Sequence, residues 1–254
     1  MRIDSVGRTH VGMKRDHNED NFQLVPEVNL FIVADGMGGH AAGEVASGIA
    51  VEEVAEFFRM TERDEEATWP NKMDRSRNYD ENRLATAIQL CNSRIREAAS
   101  ADARQKDMGT TIVTTFFKPE AAYVGHVGDS RVYRFRDGEL TQITEDHSLL
   151  NQYIKAKKLT PEEIENFPHK NVISRALGMK DQVEVDVVAD PSRAGDVYLL
   201  CSDGLSGMIT DPDMAKILGD NLDDLDTAAD LLIEAANANG GHDNVTVVLA
   251  RYND

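Results

Sequence analysis

Cysteine is scarce in this sequence, which has only Cys91 and Cys201 among 254 residues. Cys91 falls on the apolar face of a predicted helix, and Cys201 falls inside an apolar run that is typical of a strand. Both positions indicate buried, reduced thiols that behave as small hydrophobic side chains. We therefore expect neither a disulfide framework nor a cysteine zinc site.

Long apolar runs are also missing. Residues 1–20 are polar and charged, and no later run approaches the ~20 apolar residues that a helix needs to cross a bilayer. Together with the reduced cysteines, this predicts a soluble, cytoplasmic protein with no membrane partner. The hydrophobic content of 41% is sufficient for the core of one large domain spanning residues 1–254.

Basic residues are greatly outnumbered. The chain has 27 Lys and Arg residues against 45 Asp and Glu residues, which gives a net charge of −18. This charge would repel a phosphate backbone, and no basic stripe interrupts it. Nucleic-acid binding is therefore excluded, and most of the acidic residues are interpreted as solvated surface.

Several catalytic motifs are absent as well. There is no Gly-x-Ser-x-Gly elbow, and since both cysteines are assigned to the interior, no side chain is presented as a covalent nucleophile. The seven histidines lack zinc spacing such as His-Glu-x-x-His, and no Asp-x-Asp-x-Asp-Gly calcium loop occurs. These absences argue against Ser or Cys nucleophile enzymes, zinc peptidases and EF-hand proteins.

The most informative feature that is present is an apolar run that ends in a carboxylate. Residues 30–34 are continuously apolar, which is typical of a strand buried on both faces, and they are followed by Asp35 and a glycine. The same dipeptide at Asp137 separates two alternating strand patterns and indicates a type I′ hairpin turn. Asp35 differs, because a glycine cluster and a helical period follow it.

The glycines after Asp35 match the spacing of a dinucleotide-binding fingerprint over residues 36–41. Two features oppose this interpretation. Asp35 would place a negative charge beside the pyrophosphate, and the second strand that should carry a ribose-binding acid is missing. We therefore reject a nucleotide cofactor and interpret the glycines as positions where the backbone approaches a ligand, a metal or a packed helix.

Strand and helix periods follow one another along the chain. Strand patterns cover residues 3–9, 22–25, 30–34, 110–117, 121–127, 132–136, 139–143, 183–188, 197–201 and 245–251; helical patterns cover 41–60, 84–98, 149–157, 161–167 and 228–238, with a further helical segment after residue 204. Residues 61–79 are expected to be a loop, and residues 146–179 a mobile subdomain over one edge. Short gaps between strands require antiparallel neighbours, so we predict an α+β domain with sheets inside and helices outside.

Acidic residues recur at strand ends or beside glycines. They are Glu19 (with Asp20 next to it), Asp35, Asp129, Asp203 and Asp243. Asp129 on its own fits a turn as well as a site. If the set converges, two charges ~4 Å apart repel each other by about 4 kcal/mol at an effective dielectric constant of 20. A divalent cation would remove that cost.

Carboxylates, backbone carbonyls and water are the ligands of hard cations such as Mg²⁺ and Mn²⁺. Two such ions about 3.5 to 4 Å apart can bind a hydrolytic water from both sides and lower its pKa towards ~7. This is the chemistry of phosphate-ester hydrolysis without a covalent nucleophile. Arg15, four residues before Glu19, offers a planar fork for phosphate oxygens.

The motifs around these acids resemble, in order and separation, those of the metal-dependent protein phosphatases of the 2C type. They are Arg15-x-x-Asn18-Glu19-Asp20, Asp35-Gly36-Met37-Gly38-Gly39-His40, Gly128-Asp129-Ser130-Arg131, Ser202-Asp203-Gly204 and Gly241-x-Asp243-Asn244. Each motif alone is weak, whereas the ordered set is specific and spans residues 3–251. The chain is similar to a compact bacterial member of that family.

The resemblance implies a central antiparallel β-sandwich flanked by helix pairs, in α-β-β-α layers. It implies one phosphatase domain over residues 1–254, with a flap subdomain at about residues 148–179 that borders the site and influences substrate choice. It also implies a cofactor of Mn²⁺ or Mg²⁺, with two core ions and a third, more weakly bound one.

Residue roles follow from the same resemblance. Asp35 would bridge both core ions, and the Gly36 carbonyl would bind one of them. Asp203 and Asp243 would complete the first ion, and Glu19 would lie in the shell of the second. Asp129 with Asp203 would hold the third ion. Arg15 would bind the substrate phosphate. Met37 stands where eukaryotic relatives have a histidine that protonates the leaving group. His40 either takes over that role or, as we favour, orders the glycine loop or contacts substrate, so the general acid stays unassigned.

The implied activity is that of a protein serine/threonine phosphatase. Its expected partners are phosphorylated proteins, Ser/Thr kinases among them, and its expected state is a monomer that opposes those kinases in signalling. Two alternatives remain open at this point. One is a catalytically inactive binding module on the same fold, and the other is an enzyme of the same chemistry that acts on a small phosphorylated metabolite.

Overall fold

The computed structural model describes residues 1–38, 42–63, 69, 73–157, 159–165, 167 and 172–253. Their strands are β1 (Arg2–His10), β2 (Asp20–Val25), β3 (Leu30–Met37), β4 (Gly109–Thr110), β5 (Ile112–Lys118), β6 (Ala121–Val127), β7 (Arg131–Arg136), β8 (Glu139–Gln142), β9 (Asp186–Asp190), β10 (Val197–Cys201) and β11 (Val245–Asn253). Their helices are α1 (Ala42–Arg63), α2 (Tyr79–Ala101), α3 (Leu149–Lys157), α4 (Pro161–Glu165), α5 (Asp203–Ser206), α6 (Asp211–Asp220) and α7 (Leu225–Ala238).

The strands form two antiparallel sheets that face each other. One sheet has the order β1-β11-β10-β7-β8 and the other β2-β3-β5-β6-β9, and β4 pairs with β3. Phe31, Phe117, Tyr198 and Val248 belong to the apolar cluster between the sheets. Helices α1 and α2 pack on the outer face of the second sheet, and α5, α6 and α7 pack on that of the first. The α-β-β-α layering confirms the predicted α+β sandwich.

Strand β3 shows why the apolar run at residues 30–34 is continuous. Phe31 and Val33 point into the cluster between the sheets, while Leu30, Ile32 and Ala34 point into the cluster beneath α1 and α2. All of them are fully buried. A strand covered on both faces has no solvent-facing positions, so alternation with polar residues disappears. This burial fixes the direction in which the chain reaches Asp35.

Helix α2 begins at a recognisable signal, whereas α1 extends past its predicted end. A capping box starts α2, in which Glu81 N donates to Asn78 Oδ1 at 2.9 Å and Asn78 N donates to Glu81 Oε2 at 2.8 Å. Helix α1 continues to Arg63, beyond the predicted end at residue 60. Thr61, predicted to open the loop, is buried, and its hydroxyl donates to the Phe57 carbonyl at 2.7 Å.

The predicted strand over residues 183–188 is wrong at its start. Strand β9 begins at Asp186, where it pairs with β6. Val183 and Val185 precede it and are buried in the cluster beneath α1 and α2 without strand pairing. The alternation of apolar residues before position 186 therefore reflects packing against the core and not a strand, and this is why the predicted start is too early.

Smaller features agree with the sequence. Cys91 and Cys201 are buried free thiols, as predicted, and burial raises the pKa of both. Asp137 and Gly138 have φ values of 52° and 84°, both positive, as the predicted type I′ turn requires. No helix built from the described residues combines the length and apolar character needed to cross a bilayer.

Candidate metal centre

Asp35 lies near the end of β3, where its backbone is fixed by the strands on both sides. Thr111 N donates to the Asp35 carbonyl at 2.9 Å, and Asp35 N donates to Thr111 Oγ1 at 3.1 Å. On the other side, Asp20 of β2 is the residue directly opposite Asp35. Directly opposed residues of antiparallel strands project to the same face, so these two carboxylates are neighbours.

The peptide after Asp35 is packed too closely for any side chain. A Cβ at Gly36 would lie 2.1 Å from the Gly43 carbonyl oxygen and 2.5 Å from the Glu19 carbonyl oxygen. Gly36 N also donates to the Glu19 carbonyl at 3.1 Å. The glycine therefore lets three backbone segments meet beside the Asp35 carboxylate.

Asp203 and Asp243 come from the other sheet. Asp203 is the first residue of α5 and lies two residues after the end of β10, and Asp243 lies two residues before β11. Because β10 and β11 are adjacent antiparallel strands, the end of one meets the start of the other. The two sheets thus contribute their carboxylates to the same end of the sandwich.

The pKa shifts show that these carboxylates act on one another electrostatically. Burial, followed by the charges of Asp20, Asp203, Asp129 and Asp243, raises the pKa of Asp35 well above its ordinary value. Burial and then the charge of Asp203 raise the pKa of Asp129 to about 7. Burial and then Asp243 also raise the pKa of Asp203. Without a counter-ion, the ionised forms of these groups destabilise one another.

Glu19 lies at the margin of this cluster. Its Oε1 accepts a hydrogen bond of 3.1 Å from Gly43 N, in the first turn of α1. Its backbone N donates to Asn244 Oδ1 at 2.8 Å, which links the segment before β2 to the segment before β11. Glu19 and Asp20 are consecutive residues at the start of a strand, so their side chains point in different directions.

Asp20 is a site residue to which the sequence interpretation gave no role of its own. It is only 5% exposed, and its Oδ2 accepts from Ser202 Oγ at 2.8 Å and from Thr246 Oγ1 at 2.7 Å. Burial raises its pKa to about 7 against the opposing effect of these two hydrogen bonds. No signal in the order of residues identifies it, because its place depends on the register that sets β2 opposite β3.

Arg15 provides positive charge at the rim. Its Nη2 donates to Asp243 Oδ2 at 2.6 Å, and half of the side chain is exposed. Burial acts to lower the pKa of Arg15, but the charges of Asp243, Glu19 and Asp35 outweigh it and raise the pKa. Asn244 holds the loop that carries Arg15, because its Nδ2 donates to the carbonyls of Val11 and His17 at 2.9 and 2.8 Å.

The donor set fits a hard divalent cation. Asp129 is 8% exposed, and its buried Oδ1 has no hydrogen-bond partner. The charge of Arg131 acts to lower the pKa of Asp129, but its guanidinium is directed at Asp146, donating to both carboxylate oxygens at 2.8 and 2.6 Å. A carboxylate oxygen left without a partner, facing other carboxylates, is the ligand type that Mg²⁺ and Mn²⁺ take.

Only part of the glycine loop after Asp35 lies within the described residues. Met37 is the last residue of β3 and pairs with Gly109. His40, predicted to contact substrate, lies outside the described residues, as do its neighbours at positions 39 and 41. The structure thus brings together Asp35, Asp129, Asp203 and Asp243 from the predicted set, places Glu19 and Arg15 at their margin, and adds Asp20.

Comparison with known proteins extends these findings. Residues 6–250 match the family described as Protein phosphatase 2C. The serine/threonine phosphatase stp of Listeria welshimeri is 38% identical over 253 residues, covering 97% of this chain and 94% of the relative.

Two solved structures share the fold. The Mycobacterium tuberculosis serine/threonine phosphatase PstP/Ppp superimposes with a TM-score of 0.87 at 35% identity, over 100% of both chains. The PstP catalytic domain in complex with two manganese ions gives a TM-score of 0.81 at 35% identity, over 99% of both chains. The similarity covers every motif from which the carboxylate cluster is built, and the chain belongs to the protein phosphatase 2C family.

Proposed function

We propose that this protein is a metal-dependent protein serine/threonine phosphatase that hydrolyses phosphoserine and phosphothreonine in other proteins. The observation that carries the proposal is the convergence of Asp35, Asp129, Asp203 and Asp243 at one end of the sandwich. Burial and neighbouring carboxylates raise the pKa of Asp35, Asp129 and Asp203 there. In a protein that binds no metal, this mutual repulsion would only destabilise the fold.

We assign the metal ligands from the resemblance to the family, with which the donor types of these residues agree. Asp35 would be shared by two ions, and the Gly36 carbonyl would bind one of them. Asp203 and Asp243 would complete the first, and Glu19 would lie in the shell of the second. Asp129 and Asp203 would take a third, weaker ion. Bound Mn²⁺ or Mg²⁺ supplies a water of lowered pKa as the nucleophile. The two manganese ions in the related PstP catalytic domain support this assignment. Asp20, held by Ser202 and Thr246, would keep Asp35 aligned.

Arg15 is assigned to the substrate phosphate. Its guanidinium is held at the rim by one bond to Asp243, which leaves other N–H groups of the fork for phosphate oxygens. Arg15→Ala is expected to raise KM for a phosphopeptide by roughly tenfold or more while kcat falls less, because the lost contact acts in the ground state as well as in the transition state. Steady-state kinetics at saturating Mn²⁺ measures this split.

Arg15→Lys is the matched control for that experiment. It keeps the charge but loses the planar fork, so its KM should lie between those of the wild type and Arg15→Ala. An unchanged KM in Arg15→Ala would remove Arg15 from the phosphate site.

Further assignments concern the surroundings of the site. Residues 148–179 would form a flap that influences substrate choice, and His40 would contact substrate. We assign the protein to the cytoplasm as a monomer that opposes Ser/Thr kinases. The relatives named above carry phosphatase names, and this gives no support to an inactive binding module.

The test is hydrolysis of p-nitrophenyl phosphate and of a phosphothreonine peptide by chelator-stripped protein, with and without Mn²⁺. Manganese-dependent turnover of both substrates is the expected result. Turnover of p-nitrophenyl phosphate and small phosphate esters without the peptide would favour the metabolite enzyme. Metal binding without any turnover would favour the inactive module.

A further inference from the structure

A second group of metal-ligand residue types lies behind Asp129. His126 of β6, His147 and Asp186 of β9 bring one nitrogen or carboxylate oxygen each to within 4.8 Å of one another. The two imidazole rings are stacked with centroids 4.5 Å apart. This spacing alone would suit a transition metal, so the hydrogen bonds of each ring decide what the group does.

The hydrogen bonds of His147 leave no lone pair for a metal. Gly128 N donates to His147 Nδ1 at 3.0 Å, so the neutral ring carries its proton on Nε2. That Nε2 lies 3.2 Å from Asp186 Oδ2 and donates to it. Arg175 Nη1 donates to Asp186 Oδ1 at 2.7 Å; it also lies 3.0 Å from His147 Nε2, an approach of two donors that forms no hydrogen bond while the ring proton is on Nε2. The guanidinium therefore already supplies the positive charge, and the group is a hydrogen-bonded chain that runs from Arg175 to Gly128.

The end of this chain fixes an unusual peptide. Gly128 has a φ of 115°, and a Cβ there would lie 2.6 Å from the Thr111 side chain. Besides donating to the His147 ring, Gly128 accepts from His147 N at 2.8 Å. One residue thus holds both polar groups of Gly128. Asp129, with its partnerless Oδ1, is the next residue, so the direction of its carboxylate depends on this peptide.

The other side of His147 reaches both ends of the segment assigned as the flap. Ser174 N donates to the His147 carbonyl at 2.7 Å, and Leu149 N donates to the Val172 carbonyl at 2.8 Å. Ser148 and Ile173 form an isolated β-bridge. The backbone that enters this segment and the backbone that returns from it therefore meet at His147.

We propose that His147 is a positioning residue for Asp129. Asp186 and Arg175 orient the His147 ring, which holds the Gly128 peptide by two hydrogen bonds and thereby directs the Asp129 carboxylate towards the third, weakest metal position. Because residues 172–174 also bond to the backbone around His147, this metal position is linked to the segment assigned as the flap. The inference rests on the proposed function in so far as it takes Asp129 as a metal ligand.

Two substitutions at His147 separate its hydrogen bonds. The side-chain oxygen of asparagine lies near the position of Nδ1, so His147→Asn can still accept from Gly128 N but does not reach Asp186. Glutamine extends to the position of Nε2, so His147→Gln keeps the contact with Asp186 and leaves Gly128 N without an acceptor. Asp129→Asn is the reference for loss of the ligand itself.

Calorimetric titration of Mn²⁺ into the chelator-stripped full-length variants is the test. For the wild type we expect tight binding steps and a weaker one, and for Asp129→Asn loss of the weaker step. His147→Gln should weaken that step by roughly tenfold, a typical effect for a residue that orients a ligand, and leave the tight steps unchanged. His147→Asn keeps the acceptor for Gly128 N but loses its orientation by Asp186, so its weak step should lie between those of the wild type and His147→Gln. The double variant with Asp129→Asn should bind no worse than Asp129→Asn alone.

Several results would overturn the proposal. The first is a weak binding step in His147→Gln with the same affinity as in the wild type. The second is an equal loss of affinity in His147→Asn and His147→Gln. The third is a titration of Asp129→Asn that does not differ from that of the wild type. Thermal unfolding of each variant verifies that the fold persists. Because binding is measured without turnover, absence of phosphatase activity in the wild type would refute the proposed function and leave this comparison intact.

Discussion

Asp35→Asn is expected to lower kcat on p-nitrophenyl phosphate at saturating Mn²⁺ by a factor of roughly 10³ or more, which equals about 4 kcal/mol of transition-state stabilisation. Asp35 is the carboxylate on which the charges of Asp20, Asp203, Asp129 and Asp243 all act. An amide in its place supplies a neutral oxygen and an NH₂ group with two N–H donors, so the anionic ligand shared by two ions is lost. Asp203→Asn should have a similar effect.

The fold should survive this substitution. The Asp35 backbone, rather than its side chain, makes the bonds to Thr110 and Thr111 that hold the end of β3. In the metal-free protein the buried carboxylate is also the source of repulsion, so a neutral isostere should leave the melting temperature unchanged or raise it.

Asp137→Asn is the matched control. Asp137 is exposed in the β7–β8 turn with a positive φ, a conformation that asparagine adopts readily. This variant should keep both the activity and the stability of the wild type. Near-normal turnover in both Asp35→Asn and Asp203→Asn would contradict the assignment of the metal centre.

The sequence is most informative where a feature depends on local pattern. The unbroken apolar run of β3 marks a strand covered on both faces, and the charge that follows it marks the end of the sandwich. The glycine at position 36 is required by close backbone approach. These features can be recognised without knowing which strand lies beside which.

Features that depend on strand pairing cannot be recognised from the order of residues alone. Asp20 belongs to the site because the strand register sets it opposite Asp35. Its carboxylate is held by the hydroxyls of Thr246 on β11 and of Ser202 directly after β10. The grouping of His126, His147 and Asp186 joins segments that are remote in the sequence, and none of these residues stands in a motif with metal-ligand spacing. Val183 and Val185 misled the strand prediction because core burial and strand alternation give the same pattern.

The stability of the metal-free protein should fall as the pH rises from about 5 to about 8. Burial raises the pKa of Asp20 and of Asp129 to about 7, and the pKa of Asp35 is raised as well. In the unfolded chain these groups ionise near pH ~3.9. Between the two values the native state binds more protons than the unfolded state, so stability declines with pH and levels off above the native pKa. A tenfold difference in proton affinity between the two states corresponds to about 1.4 kcal/mol for each group.

Other titrating groups can be separated from this effect. Asp186 has a pKa lowered by the hydrogen bond from His147, so its ionisation lies below the window. Burial lowers the pKa of His126, which gives the opposite slope up to about pH 6.5. Asp129→Asn removes one of the raised acids without losing a hydrogen bond at Oδ1, so the pH dependence of its stability should be flatter than that of the wild type.

Added Mn²⁺ should reverse the loss at about pH 8, because the ion compensates the carboxylate charges and binds the native state in preference to the unfolded one. Calorimetric melting temperatures at several pH values, with chelator and with Mn²⁺, measure both effects. Two results would contradict the metal assignment: a metal-free melting temperature that rises steadily up to pH ~8, or a melting temperature at that pH that Mn²⁺ does not raise. Either would mean that the acids at the end of the sandwich do not repel one another as the assignment requires.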